Sequence, residues 1–283
     1  MKRITHLLTT LTAGGRKAFI PYITAGDPDC TATLRILHVL EAQGADIVEI
    51  GVPFSDPMAD GPVIEAAMER ALRSGTTPGD ILRTVREFRK TSSLPVVLMG
   101  YFNPFHAYGI ERFAADAGAA GVDAVLTVDL PPEEAGEFSA MLREQGMASI
   151  FLATPLTDTK RMAVLKKMAQ AFVYLVSVTG ITGERNGLSA GLAAKAKELK
   201  KETGLPVVLG FGISSPLMVR QYHDIVDGFV VGSAIVKRWE EAAGDPAKIE
   251  ELKTFIASMA RECHRNNIGP CLARSFPDGQ HKQ

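Results

Sequence analysis

The sequence predicts an α/β protein: a single (β/α)8 TIM barrel with an extra N-terminal helix and a polar C-terminal tail. Three observations predict this fold. Short apolar runs rich in β-branched residues recur eight times. Most are apolar throughout rather than alternating, which is typical of parallel strands covered on both faces. Each is followed by a segment with helical spacing, and units of about thirty residues are the repeat of this barrel.

The elements of the predicted barrel can be placed in order along the chain. A leading amphipathic stretch, Ile4–Leu11, predicts the extra helix, which would cap the bottom of the barrel. The eight predicted strands follow in chain order: Phe19–Thr24, Asp46–Ile50, Pro95–Tyr101, Val122–Val128, Ala148–Ala153, Phe172–Ser177, Pro206–Phe211 and Asp227–Val231.

Local signals mark where the helices begin and end. Thr77 suits a helix N-cap and Pro78 the first helical position, and the apolar residues that follow fall on one face. Glycines end helical stretches just before the next strand, as C-terminal caps should. They are Gly44, Gly121, Gly146 and Gly204.

The length of 283 residues fits either two ordinary domains or one barrel of about 250 residues with additions. No linker rich in proline, glycine or serine divides the chain. We therefore predict one catalytic barrel domain over residues 1–264 and a flexible tail over residues 265–283, where the sequence turns polar.

An open, doubly wound sheet is the alternative architecture. It usually needs fewer strands, and its dinucleotide-binding form carries GxGxxG after the first strand. Nothing of that kind follows Phe19–Thr24, and Gly210-Phe211-Gly212 comes too late in the chain.

Composition excludes several classes of protein. With 31 basic and 32 acidic residues the net charge is −1, which argues against a basic nucleic-acid binder. The three cysteines and six histidines show no disulfide framework and no zinc spacing, so we expect reduced thiols and no metal. Neither a signal peptide nor an apolar run of about 20 residues is present, so we predict a cytoplasmic protein.

Glu49 is the first candidate for chemistry. It lies inside an apolar strand between Val48 and Ile50, so strand alternation points it away from them and into the barrel mouth. Burial there would raise its pKa, as a general acid/base requires. A structural ion pair with a basic residue inside the barrel is the other interpretation. Asp56 and Asp60 follow in a proline-rich loop, where an aspartate is more often a turn residue.

Glycine-bearing turns after the seventh and eighth strands form a second candidate. They lie at Leu209–Ser214 and Val230–Ala234. Barrels commonly bind phosphate with these two loops, through backbone N–H groups and a helix N-terminus. The alternative is that the glycines only permit tight turns.

The segment from Tyr174 to Gly187 is the third candidate. It is long, polar and punctuated by glycine after the sixth strand, which suits a mobile lid. It is otherwise an ordinary surface loop, and Tyr174 is otherwise a core residue with a hydrogen-bonded hydroxyl.

Together these segments closely resemble the family of tryptophan synthase α subunits. The likeness runs from about Ile4 to about Ala260, and the tail shows none. Its most specific part is the block Glu49–Pro62. The other matching stretches are Phe19–Pro28, Met99–Pro104, Asp129–Pro131, Ser177–Gly183 and Gly210–Ser214.

The resemblance implies an activity and roles for individual residues. The family cleaves indole-3-glycerol phosphate to indole and glyceraldehyde 3-phosphate, a retro-aldol lyase reaction. Its general acid/base falls on Glu49, its indole-binding aspartate on Asp60 and its active-site tyrosine on Tyr174. The implied substrate-binding residues are Tyr22, Thr182, Gly183, Phe211, Gly212, Gly232 and Ser233. At position 22 the family often has phenylalanine, so this chain adds a hydroxyl.

The resemblance also implies a partner. This is a β subunit that holds pyridoxal phosphate and condenses indole with serine, in an α2β2 heterotetramer. The loop with Pro53 and Asp56 would be the subunit contact, coupled to the lid around Thr182. The α half-reaction itself would need no metal or organic cofactor.

Three other functions remain open from sequence. A stand-alone lyase that releases free indole would use the same active-site residues. A non-catalytic phosphate-binding barrel would not need Glu49, Asp60 and Tyr174 together. Another phosphosugar barrel, such as an isomerase, would share the glycine turns but is not expected to carry the Glu49–Pro62 block.

Overall fold

Eight parallel strands close into a barrel in which each strand pairs with the next and the last pairs with the first. The computed structural model describes residues 2–176, 185–210 and 212–266. The strands are β1 Ala18–Thr24, β2 Val48–Gly51, β3 Val96–Gly100, β4 Ala124–Thr127, β5 Ala148–Ala153, β6 Val173–Val176, β7 Val207–Gly210 and β8 Gly228–Val231.

Helices surround the barrel. Over the described residues they are α1 Lys2–Ala13, α2 Cys30–Ala42, α3 Pro62–Arg73, α4 Pro78–Phe88, α5 Phe102–Tyr108, α6 Ile110–Ala120, α7 Gly136–Glu144, α8 Thr159–Met168, α9 Arg185–Thr203, α10 Pro216–Tyr222, α11 Ser233–Glu241 and α12 Pro246–Cys263. Helix α1 buries Ile4, Leu8 and Leu11 at the bottom of the barrel, so the predicted cap is confirmed.

The predicted fold is confirmed, with differences in detail. All eight strands are present, and most are shorter than predicted by one or two residues at an end. Pro95 and Pro206 precede strands rather than open them, since proline has no N–H for the ladder. Thr77 caps α4 with a full capping box. The four predicted C-terminal glycines all have positive φ.

A helix follows every strand, as predicted, and three units carry an additional one. Two helices follow β2, β3 and β8. In the first case the second helix begins at Thr77–Pro78, whose N-cap and proline signals start a new helix rather than continue α3. The predicted tail lies almost wholly outside the described residues, so the division at residue 264 stays a prediction.

Two apolar layers hold the fold together. One packs the outer face of the strands against the helices, and it includes Val48 and Ile50. The other fills the barrel interior, with Tyr22, Val97 and Tyr174 among its members. Glu49 pairs in register with Tyr22 on one side and Val97 on the other, so its side chain belongs to the interior layer.

At the bottom of the barrel, three aspartates repeat one arrangement. Asp46, Asp123 and Asp227 each donate a backbone N–H to a carbonyl of the preceding strand. Each carboxylate then accepts the N–H of that same residue, at 2.8, 3.0 and 2.9 Å respectively. We call these residues the bottom aspartates.

A basic side chain completes each of these arrangements. His264 reaches Asp46 at 2.6 Å, Arg89 reaches Asp123 at 2.8 Å and Lys200 reaches Asp227 at 2.9 Å. The bottom aspartates therefore join neighbouring strands and tie them to the surrounding helices. The equivalent position before β6 is Gln170, whose N–H reaches Ser149 O at 3.1 Å. Its side-chain oxygen is buried and has no partner among the described residues.

Candidate active site

Glu49 lies at the top of the barrel interior and is 1% exposed. Its Oε2 is buried and accepts no hydrogen bond from any described residue. The predicted alternative, an ion pair inside the barrel, is not what the described residues form, because no lysine or arginine among them neutralises this carboxyl. Burial, and secondarily the Asp60 carboxyl, raises the pKa of Glu49 to about 8. The group is therefore mostly neutral at pH 7 and able to donate a proton.

Tyrosines flank Glu49 from two other strands. Tyr22 on β1 and Tyr174 on β6 are both buried, and burial raises the pKa of each hydroxyl. Both therefore stay protonated. The Tyr22 hydroxyl, which this chain has where the family often has phenylalanine, lies within hydrogen-bond distance of Thr24 Oγ1, at 3.4 Å.

Two glycines make room for these tyrosines. Gly51 pairs in register with Thr24, and a Cβ on Gly51 would overlap the Tyr22 hydroxyl. Gly210 on β7 stands in the same relation to Tyr174. In both cases a tyrosine leans along its strand and lies over the backbone of the next strand, so only glycine fits beneath it.

Asp60 is the second carboxyl at the barrel mouth. It is half-buried, two residues before α3 begins. Tyr101 donates its hydroxyl to Asp60 Oδ2 at 2.7 Å and accepts the Ala59 N–H at 2.9 Å. Burial raises the pKa of Asp60, and the hydrogen bond from Tyr101 acts in the opposite direction. Tyr101 therefore fixes the carboxylate and favours its ionised form.

Sequence reasoning missed Tyr101 and Thr24 as site residues. Both lie inside stretches that carry the family resemblance, Met99–Pro104 and Phe19–Pro28, and each is a hydroxyl at the C-terminal end of a barrel strand. Polar residues at such ends were the available signal. What sequence could not supply was the contact between Tyr101 and a loop 41 residues earlier.

One cavity of about 300 Å³ brings these groups together. Its walls are mostly apolar, with Met99, Ile64 and Val230 among them, and so suit a flat hydrophobic ligand. The predicted site residues that line it are Tyr22, Glu49, Asp60, Tyr174, Gly212, Gly232 and Ser233.

The glycine turns after β7 and β8 line part of this cavity, through Gly212 and Gly232. Gly232 is the N-cap of α11, and Ser233 is the first residue of that helix. A Cβ on Gly232 would rest on the Tyr22 ring, 3.5 Å from Cδ1, so glycine leaves that space open. The N-terminus of α11 carries unpaired backbone N–H groups and a positive dipole end, which together favour an anion.

The remaining predicted residues fall into two groups. Phe211, Thr182 and Gly183 fall outside the described residues. Pro53 is buried and Asp56 is exposed, both in the loop between β2 and α3 rather than in the cavity wall. The same loop presents Met58, whose side chain is 88% exposed.

A metal cluster and a membrane span are both absent from residues 2–176, 185–210 and 212–266. No group of three His, Cys, Asp or Glu side chains there could hold a metal ion. None of the helices in this part of the chain is long and apolar enough to cross a bilayer.

Comparison with known proteins places this site in context. The model of the family described as tryptophan synthase alpha chain matches residues 8–264. The tryptophan synthase alpha chain of Geobacter sulfurreducens is 50% identical over 260 residues, which cover 92% of this chain and 98% of that protein.

Solved structures give the same result. The tryptophan synthase subunit alpha of Legionella pneumophila has a TM-score of 0.86 and 40% identity, covering 93% of this chain and 98% of that one. A chain of the α2β2 tryptophan synthase complex of Pyrococcus furiosus has a TM-score of 0.78 and 41% identity, covering 86% and 98%.

Proposed function

This chain belongs to the tryptophan synthase alpha chain family, and we propose that its cavity breaks the carbon–carbon bond of indole-3-glycerol phosphate over Glu49 and Asp60. The chain is a lyase that releases indole and glyceraldehyde 3-phosphate, one half-reaction of tryptophan biosynthesis. The observation that carries the assignment of residues is a pair of carboxyls in one apolar cavity, neither of them neutralised by a described basic residue.

Glu49 acts as the acid and then as the base. An aromatic carbon is a poor leaving group unless it is first protonated. The neutral Glu49 carboxyl gives its proton to indole C3, which breaks the aromaticity of the pyrrole ring. The resulting carboxylate then takes the proton of the adjacent hydroxyl. As that C–O bond becomes the aldehyde C=O, the electrons of the C–C bond return to the indole ring. A pKa of about 8 lets one group serve both steps.

Asp60 stabilises the intermediate. Protonation at C3 leaves positive charge near the ring nitrogen, and an ionised carboxylate that accepts this N–H offsets it. The Tyr101 hydrogen bond holds Asp60 in one orientation for that task. Tyr174 and Tyr22 supply buried walls beside the reacting atoms.

The phosphate binds at the other end of the cavity. Gly212, Gly232 and Ser233 provide backbone N–H groups and the N-terminus of α11. Phe211, Thr182 and Gly183 would join them, although they lie outside the described residues. Such a site needs no basic patch, in agreement with a net charge of −1. Nothing in these steps requires a metal or organic cofactor.

A β subunit is the partner, and pyridoxal phosphate belongs to that subunit. An α2β2 assembly is supported by the printed description of the Pyrococcus relative. Exposed Asp56 and Met58, in the same loop as Pro53, offer a charged and an apolar contact. Replacement of Met58 by Asp should weaken the complex with the β chain in size-exclusion chromatography. Leu217→Asp, at an exposed leucine on α10, is the matched control. The cytoplasmic location stays a prediction.

The decisive experiment measures indole released from indole-3-glycerol phosphate, with and without a β subunit. Glu49→Gln should lower the rate by about 10³-fold, because the amide cannot exchange the proton. Glu87→Gln, at an exposed site on α4, should leave it unchanged. Ordinary turnover by Glu49→Gln would overturn the assignment. Strong activation by the β chain would favour the subunit over a stand-alone lyase.

A further inference from the structure

Arg70 joins α3 to α11 and to the segment after β1, at a point outside the cavity lining. Its guanidinium, on α3, donates Nε and Nη2 to the two carboxylate oxygens of Asp27, at 2.7 and 2.8 Å. Asp27 follows β1 and is 4% exposed. The remaining arm, Nη1, donates to Glu240 of α11 at 2.7 Å. Nearby, Trp239 Nε1 donates to the Asp27 carbonyl at 3.1 Å, so α11 is held to the same point twice.

Each of these three elements supplies a residue to the cavity. Strand β1 supplies Tyr22, the loop entering α3 supplies Asp60, and α11 begins with Ser233. Arg70 lies eight residues into α3 and Glu240 seven residues into α11, so their contact is about 10–12 Å along each helix from its cavity end. The helices also pack directly on each other.

In the proposed complex, the N-terminal ends of α3 and α11 lie beside the indole group and the phosphate group of the substrate, respectively. There Asp60, in the loop entering α3, faces the indole nitrogen, and the start of α11 holds the phosphate. The distance between those subsites depends on how α3 is set against α11. A bidentate arginine–carboxylate pair is geometrically stringent, whereas apolar packing alone tolerates small slides.

We propose that Arg70 is a positioning residue that sets the span between the indole and phosphate subsites, and so selects ligands that carry both groups at that spacing. This inference rests on the proposed function. Arg70 does not touch the substrate. It acts through Asp27 and Glu240, which are otherwise unneeded for the chemistry.

The test compares two ligands that differ only in the phosphate: indole-3-propanol phosphate and indole-3-propanol. Their dissociation constants give a phosphate preference for each variant. Arg70→Lys keeps the positive charge but cannot make the bidentate contact with Asp27. The phosphate preference should therefore fall about tenfold, because small misplacements of binding groups cost that much or more. Affinity for indole-3-propanol should stay within about twofold of the wild-type value. The KM for indole-3-glycerol phosphate should rise with the loss of preference.

Two further variants keep the result interpretable. Glu240→Gln leaves the Arg70–Asp27 pair intact and loosens only the link to α11, so it should lower the preference in the same direction even if Arg70→Lys folds poorly. Arg89→Lys changes another arginine–aspartate ion pair, with Asp123 at the bottom of the barrel, whose side chains are 12% and 5% exposed. It should lower the melting temperature and leave the preference unchanged.

The outcomes separate the two ideas. If both Arg70→Lys and Glu240→Gln retain the wild-type preference, Arg70 is a purely structural residue and the inference is wrong. If the wild-type protein itself shows no preference for the phosphate, the proposed function and this inference are both overturned.

Discussion

The two ends of this barrel treat buried and half-buried carboxyl groups in opposite ways. At the bottom, Asp46, Asp123 and Asp227 each accept a strand N–H and meet a basic side chain. At the top, Glu49 and Asp60 share a cavity, and no described basic residue neutralises either of them. The same chemical group therefore fastens strands at one end and remains available for proton transfer at the other.

The difference shows that the partners of a buried carboxyl group determine whether it stabilises the fold or takes part in proton transfer. A buried carboxylate with its hydrogen bonds and counter-charge complete is inert, and its loss is felt in stability. A buried carboxyl without them has a raised pKa and reduced stability in its charged form, which is the condition for acid/base chemistry. Replacing a carboxylate by its amide at either end should therefore have opposite consequences.

Asp60→Asn should have a large effect on the rate and little effect on stability. The amide cannot offset the charge at the indole nitrogen, so kcat should fall by about 10²- to 10³-fold. Its melting temperature should stay near the wild-type value, since Tyr101 can still donate to the amide oxygen. Steady-state indole release and calorimetry measure both. A near-normal rate would remove Asp60 from the proposed mechanism.

Asp123→Asn should lower stability and leave the rate unchanged. Arg89 would lose its counter-charge in a buried setting, and the free energy of unfolding should fall by about 3 kcal/mol. At a temperature where the variant is folded, kcat should match the wild type. Urea unfolding measures the first and the indole assay the second. An inactive but fully stable variant would contradict the division between the two ends.

Glu49 should link activity and stability to pH. Its pKa is about 8 in the folded chain and near 4.5 when exposed. Between these values the folded state keeps a proton that the unfolded chain has released, so the free energy of unfolding falls as the pH rises. The value of kcat/KM should also fall about tenfold per pH unit above pH 8, because the acid form is needed.

Glu49→Gln is the control for that dependence. Without an ionisable group, the variant should exceed the wild type in stability by about 4 kcal/mol at pH 8 and match it near pH 4.5. Unfolding curves across this range provide the measurement. Parallel stability profiles for the two proteins would show that Glu49 is ionised in the folded wild type.

Gln170→Asn should have the smallest effect. It tests whether the arrangement of the bottom aspartates extends to a fourth position. Gln170 occupies the fourth equivalent position, but its side-chain oxygen has no described partner. The shorter asparagine has the reach of the bottom aspartates and should accept the Ser149 N–H, with a gain of about 0.5–1 kcal/mol. Thermal unfolding would detect it. A loss of stability would mean that the fourth position is not equivalent to the other three.

The sequence predicts the barrel well because strand and helix signals are local. Continuous apolar runs, Thr77–Pro78 and the terminal glycines each act within a few residues. Strand alternation also predicts the inward direction of Glu49, which needs only its two neighbours. Thr77–Pro78 marks the start of α4 locally, but whether one helix or two form after β2, β3 and β8 depends on how each segment packs on its neighbours.

Long-range contacts were beyond prediction. The Tyr101–Asp60 bond joins residues 41 positions apart, and the Arg70–Glu240 contact joins residues 170 apart. The bottom aspartates depend on strand register, which sequence patterns do not specify between separate units. The roles assigned to the individual site residues remain predictions that the family resemblance and the cavity geometry support together.

The tyrosines that lie over Gly51 and Gly210 constrain how this site can evolve. A side chain at Gly51 collides with the ring of Tyr22 as well as its hydroxyl, so a change to phenylalanine would not relieve it. Substitution of the glycine is therefore tolerated only after its tyrosine has been replaced by something shorter. Mutational order then matters, and the Tyr22–Gly51 and Tyr174–Gly210 pairs should each show strong epistasis in a pairwise library.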